Sequence, residues 1–334
     1  MYSMSRHALF FFLLILSLSL FLVGCGNSAA PSAQGAPASN AANSSTSPQE
    51  NAPSQEGTQA HAVKDAMGEV KVPAEPKRIV VLDNGALDNL LALGVTPVGA
   101  ATVSLDKPFF SYLGDKTSGI EKVGTIDQPN LEAIAALKPD LILGTKDQHE
   151  AIHSKLMQMA PTVFVETMGL DWKGNLKLHA EAAGKAQEAE KLIADYEKRV
   201  ADFQAKMGDK IGKTEVSVLR MNADHVRIYL SESYSGKFIE ELGFPRPKAQ
   251  SEKDFAKKAT EEQIADMDGD VIFWFSRDQE NIMTTKLKGN PLWATLKAVQ
   301  AGNVYEVSTD PWLSGMGILS RNLMLDEVIK HLDK

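Results

Sequence analysis

The chain has 334 residues, of which 35 are lysine or arginine and 43 are aspartate or glutamate, so its formal net charge is −8 at pH 7. That length is sufficient for more than one domain with its own core. The acidic balance argues against nucleic acid as the partner, because phosphate binding requires a basic face. With one cysteine, no disulfide can form within the chain.

The first 24 residues have the pattern of a secretory signal peptide. Arg6 and His7 precede an apolar run from residue 8 to residue 23, which is shorter than the roughly 20 residues that a membrane span needs. The run ends in "LVGC" and resembles the lipobox of bacterial lipoproteins, so we expect cleavage before Cys25 and acylation of its sulfur. The alternative is an uncleaved anchor helix with an incidental cysteine.

Residues 26–62 are predicted to form a disordered tether. They consist mostly of Ala, Ser, Asn, Gln, Pro and Gly, with almost nothing to bury. A flexible chain of this length spans about 30–35 Å on average. We therefore expect an extracytoplasmic protein whose folded part works close to the cell membrane.

Residues 63–170 are predicted to form an N-terminal α/β lobe. After a hairpin at "AVKDAMGEVKVP", buried runs such as "RIVVL", "DLILG" and "TVFVE" alternate with helical patterns such as "GALDNLLALG", "NLEAIAALKP" and "HEAIHSKLMQMA". Strands that alternate with helices at short spacing indicate a largely parallel sheet covered on both faces.

A single helical pattern fills residues 171–208, and the alternation of strands and helices then resumes through residues 209–334. The sequence therefore predicts an α/β fold with two Rossmann-like lobes, mainly parallel sheets, and one long rigid α-helix joining the lobes. A continuous helix is a stiff connection, so we expect modest lobe movement.

"HEAIH", residues 149–153, matches the H-E-x-x-H pattern of zinc hydrolases, in which two histidines of one helix share a metal. No clear third ligand follows it. A bare metal ion would need several converging His, Asp or Glu side chains, and the predicted strand ends carry cations instead. No nucleophile elbow, phosphate-binding loop or dinucleotide fingerprint is present. We therefore expect neither an enzyme nor a metal or cofactor site.

Cationic side chains stand where predicted strands end. Lys146 follows "DLILG", Arg220 follows "VSVL" and Arg277 follows "DVIFWF". Ligands of open α/β sheets bind outside the carboxyl ends of strands, so two facing lobes would bring these charges together around an anion. Arginine suits this role because it is permanently charged and forked for bidentate contacts.

Four further residues are candidates for the same site. Tyr229 and Trp312 offer flat surfaces for an organic ligand. Arg227 and Arg246 could add charge, although Arg227 could also face solvent from its strand and Arg246 could be a turn residue.

The stretches "RIVVLDNGALDNLLALGVTPVGA", "PNLEAIAALKPDLILG", "VLRMNADHVRIY", "SYSGKFIEELGFPRP" and "DPWLSGMGI" occur in this order. Together they resemble the solute-binding lipoproteins of iron–siderophore and cobalamin ABC importers, over about residues 62–333. The resemblance implies a monomer, anchored in the membrane through lipidated Cys25, that binds a ferric siderophore and delivers it to a permease with its ATPase. Alternatives are a binding protein for a metal ion, cobalamin or haem and, less favoured, a zinc hydrolase.

The resemblance also implies particular residue roles. In this family a glutamate in each lobe docks onto arginines of the permease, and these match Glu132 and Glu240, with Glu241 as an alternative to the second. Catecholate binders have an arginine where this chain has Lys146, and a tyrosine near Trp312. Citrate-type or hydroxamate ligands are therefore favoured.

Overall fold

The computed structural model describes residues 60–333. The predicted signal peptide at 1–24, the acylation site Cys25 and nearly all of the predicted tether lie outside the described residues. An antiparallel hairpin comes first, formed by β1 (His61–Asp65) and β2 (Gly68–Val72). Asp65 ties it to the N-terminal lobe, since its Oδ2 accepts a hydrogen bond from the backbone N–H of Phe164 at 2.7 Å. Strand β1 begins at His61, so it starts within residues 26–62, the range predicted as tether.

The N-terminal lobe is built on five parallel strands in the order β5-β4-β3-β6-β7. The strands are β3 (Ile79–Val81), β4 (Gly99–Thr102), β5 (Glu121–Thr125), β6 (Leu141–Thr145) and β7 (Thr162–Val165). The helices of this lobe are α1 (Asn84–Ala92), α2 (Leu131–Ala136), α3 (Lys146–His149) and α4 (His153–Met157). Strands β3 and β6 are buried along their whole length, as expected for a sheet covered on both faces.

The C-terminal lobe has a mixed sheet in the order β10-β9-β8-β11-β12. Its strands are β8 (Val216–Met221), β9 (Val226–Tyr229), β10 (Ala256–Ala259), β11 (Val271–Ser276) and β12 (Val304–Glu306). Strands β8, β11 and β12 are parallel, whereas β9 and β10 join as antiparallel neighbours. The helices after residue 170 are α5 (Trp172–Ala182), α6 (Ala186–Met207), α7 (Tyr234–Glu241), α8 (Ile282–Gly289), α9 (Lys297–Gln300), α10 (Thr309–Ser314) and α11 (Ile318–Leu332).

The predicted fold class is confirmed: two α/β lobes with mainly parallel strands and a long helix between them. The predicted extent of that helix was wrong. The pattern through 171–208 is two helices, α5 and α6, separated by a turn at Gly184, whose φ is +69°. Backbone N–H groups of Gly184 and Lys185 donate to the carbonyls of Glu181 and Ala180, which is the hydrogen-bond pattern of a Schellman helix end.

Replacing Gly184 by alanine is expected to lower the free energy of unfolding by about 2 kcal/mol or more. A left-handed conformation costs an L-residue about 1–2 kcal/mol, and the added Cβ would lie 2.4 Å from the carbonyl oxygen of Ala74. Gly94 is the matched control, because its φ is +76° but nothing lies within 4 Å of its added Cβ. Equal urea unfolding midpoints for the two variants would contradict the role of the close contact.

One hydrophobic core runs through both lobes. It joins side chains of the N-terminal lobe such as Leu90 and Leu143, Tyr196 and Phe203 on α6, and Phe273 of the C-terminal sheet. Helix α6 therefore packs into both lobes rather than bridging a gap through solvent. Within residues 60–333, no helix has the length and apolar character needed to cross a bilayer.

The last helix, α11, forms a second connection between the lobes. Its first turn is capped by Asp88 from α1, which is fully buried. The Asp88 carboxylate accepts from the backbone N–H groups of Leu319 at 2.7 Å and Ser320 at 3.0 Å, and from the Tyr112 hydroxyl at 2.8 Å. Burial raises the Asp88 pKa to about 7, although these hydrogen bonds act in the opposite direction.

Candidate functional site

A cleft between the lobes includes a larger and a smaller cavity near the predicted site residues, each with walls from both lobes. The larger, about 630 Å³, is lined by Ser104 and Lys107 on one side and by Arg277 and Thr309 on the other. We call it the basic cavity. The smaller, about 220 Å³, lies between Met168 and Leu170 of the N-terminal lobe and residues of β9, α7 and α10. We call it the apolar cavity.

The cleft lies where the sequence predicted it, at the carboxyl ends of parallel strands. Ser104 follows β4, Thr167 follows β7, Arg277 follows β11 and Thr309 follows β12, and all four line one of the two cavities. The carboxyl ends of the strands in the two sheets point towards the space between the lobes, and this space is the cleft.

Three arginines, Arg220, Arg227 and Arg277, form a cluster at one end of the C-terminal sheet. Arg277 lines the basic cavity, whereas Arg220 and Arg227 line neither of the two cavities. Arg220 on β8 lies directly opposite Arg227 on β9 in the antiparallel register. Arg277 follows β11, the other neighbour of β8, and its backbone N–H donates to the carbonyl of Met221 at 2.9 Å. Burial and then the charges of Arg227 and Arg277 hold the pKa of Arg220 below its ordinary value. The three side chains therefore share one region.

This arginine cluster lacks an internal counter-charge. In residues 60–333, the arginines that form ion pairs with carboxylates are Arg199 and Arg321. The Nε of Arg220 is also buried without a hydrogen-bond partner. Like charges directly opposite each other weaken a sheet, and buried donors without acceptors are costly. An anion from outside the chain would remove both penalties.

Tyr229 lies beside the cluster on β9 and is 2% exposed. Its ring centroid is 5.9 Å from the guanidinium carbon of Arg220. Burial raises the pKa of the phenol above its ordinary value, against the pull of the three arginines. A neutral hydroxyl thus borders the positive cluster, and the ring is a wall of the apolar cavity.

Lys146 is not a free charge, because its Nζ lies 3.0 Å from Oε1 of Glu166. The hydrogen bond and charge of Glu166 raise the Lys146 pKa above its ordinary value. The structure therefore brings Arg220, Arg227 and Arg277 together, whereas Lys146 on the facing lobe already has a carboxylate partner.

Trp312 and Arg246 are more deeply packed than their sequence context indicates. Trp312 is 1% exposed, its Nε1 donates to Glu327 Oε2 at 2.5 Å, and it lines the apolar cavity. Arg246 lines neither cavity; its Nη2 donates to the backbone oxygen of Tyr229 at 2.5 Å and to Gln250 at 3.0 Å. Burial lowers its pKa to about 10. Arg246 thus supports β9 from behind the arginine cluster.

Sequence reasoning missed Lys107 as a residue of the cleft. Its Nζ lies 2.8 Å from Oδ2 of Asp310, so the ion pair joins the two lobes. Ser111 donates to the same oxygen through its backbone N–H and its hydroxyl. Partial burial would raise the Asp310 pKa, but these hydrogen bonds hold it below its ordinary value. No strand-end pattern marks Lys107, because it lies in a loop after β4.

The H-E-x-x-H segment does not form a metal site. His149 accepts at Nδ1 from the backbone N–H of Thr145 at 3.2 Å, and its Nε2 then donates to the carbonyl of Ile126 at 3.0 Å. His153 belongs to a separate helix, α4. Among the described residues, no group of three His, Cys, Asp or Glu side chains could hold a metal ion.

The two glutamates matched to permease docking are both on the surface. Glu132 lies exposed in the first turn of α2, and Glu240 lies exposed near the end of α7. Glu241, the alternative, is engaged internally: it lies 3.3 Å from Arg321 and accepts from the Tyr196 hydroxyl at 3.4 Å. Of the adjacent pair, Glu240 is therefore the one available to a partner.

Comparison with known proteins agrees with this architecture. A family model described as "Periplasmic binding protein" matches residues 79–311. The probable siderophore-binding lipoprotein YfiY of Bacillus subtilis (strain 168) is 42% identical over 279 residues, covering 80% of this chain and 86% of that protein. The Fe(3+)-citrate-binding protein YfmC of the same organism is 31% identical over 281 residues, covering 83% and 87%.

A solved structure gives the same result. Staphylococcus aureus SirA, crystallised in complex with staphyloferrin B, superposes with a TM-score of 0.73 at 32% sequence identity. The superposition covers 82% of this chain and 98% of SirA. The likeness therefore spans both lobes and the helix between them.

Proposed function

The chain belongs to the periplasmic binding protein family, and we propose that it is the extracytoplasmic solute-binding component of an ABC importer for a ferric siderophore. It acts as a monomer anchored through lipidated Cys25, captures the ligand in the cleft and delivers it to a permease driven by an ATPase. No bond is made or broken by this chain. The observation that carries the proposal is the arginine cluster, which has no carboxylate partner within residues 60–333.

The chemistry of the ligand matches that cluster. Ferric siderophores are often anionic, and their oxygen atoms are already used by the iron. The protein therefore needs hydrogen-bond donors and positive charge rather than metal ligands, and arginine supplies both. Arg220, Arg227 and Arg277 contact the anionic part, and Tyr229 and an edge of Trp312 contact the organic part. Citrate-type or hydroxamate complexes are favoured over catecholates.

A titration followed by tryptophan fluorescence tests this function. Ferric citrate, a ferric hydroxamate and a ferric catecholate are each added to the purified protein, with Zn²⁺ and cobalamin as controls. We expect saturable quenching by the citrate or hydroxamate complex. A saturable response to Zn²⁺ or cobalamin alone would refute the proposal.

Glu132→Ala is expected to leave ligand affinity unchanged and to lower uptake into cells by about tenfold. An exposed carboxylate on the N-terminal lobe docks by charge complementarity, which acts on encounter with the partner rather than on the cleft. The measurement is import of the radiolabelled ferric complex by cells that carry the variant as their sole binding protein.

Glu69→Ala is the matched control, because Glu69 is an exposed carboxylate on the N-terminal hairpin. It should import at the wild-type rate. Equal uptake by the Glu132 and Glu69 variants would remove Glu132 from the docking surface.

A further inference from the structure

We propose that Asp278 is a positioning residue for Arg277: its buried carboxylate holds the turn after β11 and so keeps Arg277 in the wall of the basic cavity. The inference rests on the proposed function, in which Arg277 contacts the anionic part of the ligand, and Asp278 itself contacts no ligand. Of the three arginines in the cluster, Arg277 is the one that lines a cavity. What fixes its place therefore bears directly on binding.

The turn after β11 alternates between exposed and buried side chains. Arg277 and Gln279 are exposed and line the basic cavity, whereas Asp278 between them is 3% exposed and lines neither cavity. In an extended backbone, successive side chains point to opposite sides. Drawing the middle side chain into the protein therefore turns the two neighbouring side chains outward, towards the basic cavity.

The Asp278 carboxylate anchors this turn to the start of α8. Its Oδ2 accepts from the backbone N–H of Met283 at 2.7 Å and from that of Thr284 at 3.4 Å. These are the second and third residues of the eight-residue helix, where backbone N–H groups have no acceptor within the helix. Both residues are buried, so the anchor lies where water has little access and a hydrogen bond to a charged oxygen is strong.

The turn includes a residue in a disfavoured conformation, so it needs the anchor to keep its shape. The φ of Asn281 is +56°, and L-residues hold this left-handed conformation at a cost, only where surrounding contacts enforce it. The Arg277 N–H donates to the Met221 carbonyl and the Asn281 N–H to the Asp278 carbonyl. These bonds hold the start of the turn and close it, whereas the carboxylate joins it to α8. Without the carboxylate the turn would relax, and Arg277 would move with it.

Asp278 supports Arg277 without neutralising it. In the part of the chain that the structure describes, the arginines paired with carboxylates are Arg199 and Arg321. The engaged oxygen of Asp278 is bonded to the backbone of α8. The charge of Arg277 therefore remains available to an anion in the basic cavity.

A double-mutant cycle tests this role. The probe is ferric citrate or a ferric hydroxamate, whichever binds the wild type more tightly by tryptophan quenching. We expect Asp278→Ala to weaken binding by about threefold to tenfold. The variant that combines Asp278→Ala with Arg277→Ala should bind as weakly as Arg277→Ala alone, because Asp278 acts through a side chain that is already gone. Unchanged affinity in Asp278→Ala, or multiplied losses in the double variant, would contradict the inference.

The dependence of affinity on ionic strength separates positioning from a general loss of stability. Arg277→Ala removes a charge from the cavity wall, so its affinity should fall less steeply as salt is added. Asp278→Ala should show the same shallower slope although it keeps Arg277. A variant that is only less stable would retain the wild-type slope. Asp278→Asn keeps a side-chain oxygen for the Met283 N–H and should restore affinity to within about twofold of the wild type.

Asn130→Ala is the matched control. Asn130 caps α2 by accepting from the Ala133 N–H at 3.0 Å, and it lines neither cavity, so its loss should leave the affinity and the salt slope unchanged. Asp278→Ser is the second variant, in case Asp278→Ala does not fold. Its hydroxyl is one bond nearer the backbone and does not reach the Met283 N–H, so both changes should appear in it too. Wild-type affinity and slope in this variant would count equally against the inference.

Hydrogen exchange in the free protein tests the anchor without any ligand. Backbone amides of residues 279–284 should exchange faster in Asp278→Ala and Asp278→Ser than in the wild type. Unchanged exchange would overturn the inference while leaving the proposed function intact. Failure of the wild type to bind any of the ferric complexes would instead overturn the proposed function itself.

Discussion

Arg220→Ala is expected to weaken binding of the ferric ligand by at least about tenfold, which corresponds to about 1.4 kcal/mol. Arg220 occupies the centre of the arginine cluster, with Arg227 opposite it on β9 and Arg277 after the other neighbouring strand. A charged hydrogen bond to an anion in a partly desolvated site is worth more than a neutral one. The measurement is a quenching titration at low and at physiological ionic strength.

The same substitution should leave the free protein slightly more stable, by about 0.5–1 kcal/mol. It removes a charge that faces Arg227 across the strand pair without any carboxylate to offset it. A loss of affinity together with a gain in the free energy of unfolding separates a binding role from a structural one. Arg78→Ala, at an exposed arginine whose guanidinium donates to the Leu137 carbonyl, is the control and should change affinity little. Unchanged ligand affinity in Arg220→Ala would place the anion elsewhere.

Asp88→Ala should lower the free energy of unfolding by about 3 kcal/mol. The change removes the acceptor for two backbone N–H groups of α11 and for the Tyr112 hydroxyl, all in a site that excludes water. Each buried donor left without a partner costs about 1–3 kcal/mol, although removal of a buried carboxylate offsets part of that. Urea unfolding gives the value directly.

The control for Asp88 is Asp171→Ala. Asp171 also caps a helix, but it is exposed and accepts from one backbone N–H, that of Gly174 at 3.0 Å. Its loss should cost about 1 kcal/mol, as for an ordinary N-cap. Similar destabilisation by the two variants would mean that burial and the additional donors at Asp88 contribute nothing.

Asp88 also gives stability a pH dependence. Its pKa rises from 3.8 to about 7 on folding, so the folded state holds the proton more tightly than the unfolded one. The resulting stabilisation is fully present below pH 3.8 and is lost as the pH rises through about 7. Between pH 4 and 8, the free energy of unfolding of the wild type should therefore decline relative to that of Asp88→Asn, whose side chain cannot titrate.

Much of the fold follows from the sequence because local patterns determine it. Continuous apolar runs such as the one in β6 belong to strands buried on both faces. The positions of Arg220 near the end of β8 and of Arg277 after β11 predicted that the two arginines lie near each other. The helix break at Gly184 was not predicted, because the apolar spacing continues across it. The helix ends at the left-handed Gly184, and the absence of a Cβ there admits the backbone of Ala74, which is distant in sequence.

The details of the site depend on contacts that no local pattern encodes. The pairing of Lys146 with Glu166 joins residues that follow two neighbouring strands. The two backbone N–H groups that donate to Asp88 lie more than two hundred positions away along the chain. The hydroxyl of Ser235, which is buried without a hydrogen-bond partner, becomes apparent only when α7 is placed against the apolar cavity. From the sequence alone, a serine within "SYSGKFIEELG" looks like an ordinary residue at the start of a helix.

The capping of α11 by Asp88 has a consequence for how the protein matures. The backbone N–H groups from which Asp88 accepts belong to Leu319 and Ser320, more than two hundred residues further along the chain. A newly synthesised chain cannot complete this buried group of hydrogen bonds until α11 has been made, so the N-terminal lobe reaches its final packing only when the residues of α11 are present.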